Sequence, residues 1–86
     1  MATTPRAGSD IGMCAKMRHE AELSAKELKD KRKKLSDLQI KLTQETDPIK
    51  TQQLKEEIER LKNEIELDDA QLGVLQEEIL FHCSGH

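Results

Sequence analysis

The chain has 86 residues; 35% are hydrophobic, 36% are charged, and one, Phe81, is aromatic. Globular chains are about 45–50% apolar, so the material for a compact core around a catalytic pocket is missing and no enzyme is expected. The formal net charge of −3 turns expectation away from nucleic acid as a default partner, and no run approaches the ~18 apolar residues that cross a bilayer.

Residues 1–9 are small and polar, contain Pro5 and Gly8, and read as a disordered lead-in without the apolar core of a secretory signal. The expected setting is therefore inside the cell, in the cytoplasm or the nucleus. Cys14 and Cys83 are too few for a disulfide scaffold and fit a reducing compartment. Ser9 or Asp10 can cap a helix by accepting a hydrogen bond from a free backbone N–H two or three residues on. From there to Glu45 the residues are helix formers, with only Gly12 near the start.

Thr46-Asp47-Pro48 interrupts this run. Proline has no amide hydrogen and keeps the residue before it out of the helical region, so a single helix cannot continue through Asp47. Asp followed by Pro is also a good helix start, with the carboxylate as cap and the proline in the first turn. The reading is a helix over 10–45, a turn over 46–48, a second helix over 48–83, and a frayed end at 84–86.

Apolar spacing supports the division. In the first helix Cys14, Met17, Ala21, Ser24, Leu28, Lys31, Leu35, Leu38 and Leu42 follow a 3-4 repeat; in the second it is Leu54, Ile58, Leu61, Ile65, Asp68, Leu72, Leu75, Ile79 and His82. The first phase carried past Leu42 reaches Ile49, whereas the second helix places Thr51 there. No three- or four-residue insertion gives that offset. An antiparallel hairpin then sets Leu42 against Leu54, Leu38 against Ile58, Leu35 against Leu61, Ser24 against Leu72, Ala21 against Leu75 and Met17 against Ile79. The fold class is all-α: an antiparallel two-helix coiled-coil hairpin.

Charge favours the same arrangement. Residues 1–45 carry ten Lys/Arg and seven Asp/Glu, a net +3; residues 46–86 carry four and ten, a net −6. Folding one arm onto the other joins the two signs. Lys34 with Glu64 and Lys41 with Glu57 are expected to approach, and Lys31 and Asp68, charged interruptions of the seams in adjacent layers, are candidates for a pair that fixes alignment.

Three features invite a functional reading. The run Lys29-Asp30-Lys31-Arg32-Lys33-Lys34 resembles a nuclear-import or phosphate-binding patch, but the hairpin lays it beside Glu64, Glu66, Asp68 and Asp69, and no aromatic residue offers base stacking. At the open end Cys14, His19, His82, Cys83 and His86 have zinc-compatible chemistry, and Cys83-x-x-His86 is a tolerable spacing, but Cys14 stands alone and the histidines lie at a fraying terminus, so no metal and no cofactor is expected. The two cysteines are read as half-buried thiols, with a disulfide as the alternative that the hairpin permits.

The third feature is a second apolar stripe, Leu67, Ala70, Val74 and Phe81 with Leu80 nearby, and Leu23 at the same end of the first arm. Leu67, Val74 and Phe81 are seven apart and share a face away from the seam. A helix with two apolar faces implies a third element. A chain this small gains little from one narrow core, so self-association into a four-helix bundle or docking on a protein partner is expected. The function expected is a non-enzymatic protein–protein interaction module, an adaptor or subunit of a larger assembly. Its alternative is an effector module binding a small GTPase, since the hairpin resembles the helical fingers of Rho effectors in architecture alone. Nucleic-acid binding through residues 29–34 stands third.

Overall fold

The computed structural model describes the backbone of residues 3–83 and the side chains of residues 12–83. Two helices, α1 (Thr3–Gln44) and α2 (Pro48–Cys83), fold back on each other as an antiparallel hairpin measuring 69 × 17 × 14 Å. No strand occurs among the described residues, and no helix is long and apolar enough to cross a membrane.

The reversal is made by local hydrogen bonds. Asp47 Oδ1 accepts from the Ile49 amide at 2.9 Å, and the Asp47 carbonyl accepts from the Thr51 amide at 2.8 Å. Asp47 is thus the cap of α2, and Pro48 occupies the first helical position, where a missing N–H costs nothing. On the other side Glu45 Oε1 accepts from the Asp47 amide at 3.2 Å, and the Glu45 amide donates to the Leu42 carbonyl at 3.4 Å.

α1 begins earlier than its sequence suggests. The segment read as a disordered lead-in is helical from Thr3, and the helix runs through Ser9 and Asp10, which therefore do not cap it. Pro5 lies in the first turn, where the amide hydrogens have no carbonyl partners in any case. Gly8 alone, costing about 1 kcal/mol against alanine, does not end a helix. Residues 1–2 and 84–86, including the expected stop at Ser84-Gly85, lie outside the described residues.

The arms meet along the expected seam. Leu38, Ile58 and Leu61 are buried together with Leu35, Leu42, Leu54 and Ile65 packed around them; farther from the turn, Leu28 and Leu72 are also buried. Each fully buried leucine or isoleucine contributes about 1.5–3 kcal/mol before the cost of ordering the chain. Met17, Ala21, Ser24, Leu75 and Ile79 complete the seam half-buried. One position differs: the seam of α2 ends on Cys83, which is half-buried, and not on His82, which is exposed.

Candidate functional site

The open end is closed covalently. Cys14 and Cys83 form a disulfide with their Cα atoms 5.7 Å apart. This corrects the expectation of two free thiols: the pairing of the arms delivers both residues to one level, within the 4.4–6.8 Å that a bridge spans. Neither sulfur is then a thiolate ligand, and among the described residues no three His, Cys, Asp or Glu side chains gather as metal donors. His86, part of the zinc reading, lies outside the described residues. Arg18 reaches across to donate to the Cys83 carbonyl at 3.5 Å.

Three ion pairs within 4 Å cross the hairpin among the described residues. Lys31 Nζ binds Asp68 Oδ2 inside the seam and lies 3.5 Å from Glu64 Oε1. Arg32 Nη2 donates to Asp69 Oδ1 at 3.1 Å. The hydrogen bond to Asp68 raises the pKa of Lys31 above its ordinary 10.5, partial desolvation opposes this, and the charges of Asp68 and Glu64 add to the rise. The expected contacts of Lys34 with Glu64 and of Lys41 with Glu57 are not among these pairs. Glu64 turns to the seam lysine, which already holds Asp68 and draws a second carboxylate to the same ammonium. Lys41 and Glu57 instead line an open cleft beside the turn with Gln44, Glu45, Lys50, Gln53 and Leu54. Arg32 with Asp69 went unforeseen, although both belong to the charge runs that the hairpin apposes.

The second apolar stripe is uncovered. Leu67 is 59% exposed, Val74 56% and Phe81 83%, while Ala70 and Leu80 are also exposed on α2 and Leu23 is exposed on α1. Leu67, Val74 and Phe81 form one row; Leu80 lies about 100° round the helix from Phe81. Leu23 belongs to the same side. Glu27, one turn from Leu23, and Gln71, one turn from both Leu67 and Val74, line a single groove with Ser24, Asp68, Leu72 and Leu75. Met13, Ile40 and Ile49 are further exposed apolar residues that the spacing did not single out.

Along α2 the seven-residue row reads Gln53, Arg60, Leu67, Val74, Phe81. It is polar near the turn and apolar toward the open end. Leu67, Val74 and Phe81 are thus an exposed apolar row on the outer side of α2. No protein-family model, curated protein or solved structure matches the chain.

Proposed function

We propose that the chain is a non-enzymatic coiled-coil interaction module, an adaptor or subunit of a larger assembly, which docks through the outer face of α2 near the open end. The observation that carries this reading is a completed seam on one side of α2 together with an uncovered apolar row, Leu67, Val74 and Phe81, on another. Side chains already used in the hairpin core do not need that row; a third element does.

The charge distribution supports a protein over a nucleic-acid partner. Lys31 and Arg32, central to the basic run, are engaged by Asp68, Glu64 and Asp69, so the field of residues 29–34 is partly neutralised within the chain. An intracellular setting, cytoplasmic or nuclear, makes the Cys14–Cys83 bridge conditional on oxidation; an oxidising compartment makes it permanent.

The test is a chain carrying Val74→Glu and Phe81→Glu. Circular dichroism is expected to show unchanged helicity, since both residues are exposed, while associations of the wild-type chain, seen by light scattering or by co-purification, disappear. Association that survives both substitutions overturns the reading. So does binding that depends on nucleic acid and fades steeply with salt.

A further inference from the structure

Resting on the docking role of the α2 face, we propose that its occupant is a second copy of this chain, packed antiparallel about a twofold axis that passes Val74. The row is symmetric about that residue: Leu67 and Phe81 lie seven residues to either side. A helix laid antiparallel on its own copy with Val74 at the axis sets Val74 against the partner's Val74 and Leu67 against the partner's Phe81. All three apolar anchors are matched at once, the self-complementarity that a twofold interface demands. Glu77 and Glu78 fall opposite the partner's Gln71 and the partner's Ala70, so neither acid meets its own kind.

The first arm carries a complementary pattern at the same level. The bridge puts Cys14 and Cys83 side by side; nine residues inward on each arm stand Leu23 and Val74. Leu23 is flanked at seven residues by Lys16 on one side and Asp30 on the other. The axis that matches the α2 row therefore brings Lys16 toward the partner's Asp30, twice by symmetry.

The size of the contact fixes its strength class. From Val74 to Cys83 is nine residues, so the α2 segments overlap over about 28 Å at 1.5 Å per residue. Across a rod 17 Å wide the pair covers roughly 1,000 Å² in all, below the ~1,200–2,000 Å² of stable complexes. The dimer is weak and concentration-dependent.

The test uses the full chain with the Cys14–Cys83 bridge intact. Sedimentation equilibrium up to millimolar concentration is expected to show a monomer–dimer equilibrium that Val74→Glu with Phe81→Glu abolishes. Lys16→Asp alone is expected to weaken the dimer about two- to fivefold, and Lys16→Asp with Asp30→Lys to restore it. A spin label at Val74→Cys is expected to lie within about 20 Å of its mate. One at Ile49→Cys, twenty-five residues from the axis, is expected ~75 Å from its mate, because the two copies point opposite ways. A monomer at every concentration, neighbouring labels at Ile49, or a dimer indifferent to the charged anchors overturns the inference. Co-purified proteins lost with Val74→Glu and Phe81→Glu from a chain that stays monomeric would remove self-pairing and leave the interaction-module reading intact. Associations of every kind that ignore both substitutions would remove both.

Discussion

The two halves of the hairpin are held together by different means. Beside the turn, Leu35, Leu38 and Leu42 pack on Leu54, Ile58, Leu61 and Ile65. Beyond the Lys31–Asp68 layer Leu28 and Leu72 are the buried residues among those described; the first arm then offers Ser24, Ala21 and Met17, and a disulfide finishes the join. One half is zipped by apolar contact and the other is stapled. The same division appears on the outside of α2, where the row that is polar at Gln53 and Arg60 turns apolar at Leu67, Val74 and Phe81. The half with less apolar material in its own seam keeps more of it on the surface, and it is this half on which the proposed docking of another chain rests.

The sharpest way to break this comparison is to remove the staple. The bridge closes a loop with a sequence separation of 69, and loop-closure entropy for that length gives an upper figure of about 4 kcal/mol. Reduction, or Cys14→Ser, is expected to lower the melting temperature and to speed amide exchange at Leu72–Ile79 well before Leu54–Leu61. Loss spread evenly over both halves, or no loss, would contradict a stapled half. The next effect is on the zip. Leu38→Ala or Ile58→Ala is expected to cost about 2–4 kcal/mol in denaturant unfolding whether or not the bridge is formed. Met17→Ala, at a half-buried position in the stapled half, should cost about half as much or less. Equal costs would erase the distinction.

Much of this difference was legible beforehand. The 3-4 spacing, the break at Asp47-Pro48 and the opposite signs of the two arms determine the antiparallel topology, whereas the pattern alone still allows the register to slip by a heptad. The Leu67–Val74–Phe81 row was legible too: a period of seven names a face. Three things were not. Pro5 and Gly8 look like breakers, yet a proline in the first turn forfeits no hydrogen bond. Spacing brings Cys14 and Cys83 together but carries no information on their oxidation. Glu64 has two lysines within a turn, Lys31 and Lys34, and a flexible side chain's choice between them is decided by the seam geometry around Asp68 and not by position along the chain.

The boundary between the two halves is itself testable, and it should yield the smallest effect. Lys31 sits where the leucine cluster ends, with Asp68 and Glu64 around its ammonium. Its pKa is raised above 10.5 by the hydrogen bond to Asp68. A cation whose folded pKa exceeds its unfolded value lends stability that is fully present below the unfolded pKa, about 10.4, and lost as pH climbs through the higher folded one. Unfolding measured from neutral pH into strong alkali should therefore show a decline above pH ~10.4 that Lys31→Met diminishes. Lys31→Glu places a third carboxylate beside Asp68 and Glu64 and should loosen the junction; Asp68→Lys should do so as well. The exchanged pair, Lys31→Glu with Asp68→Lys, should recover most of the loss but not all of it, since Glu64 then faces a carboxylate at position 31. Losses that simply add would mean that the two residues act separately, and that the junction between zip and staple rests on Leu28 and Leu72 alone.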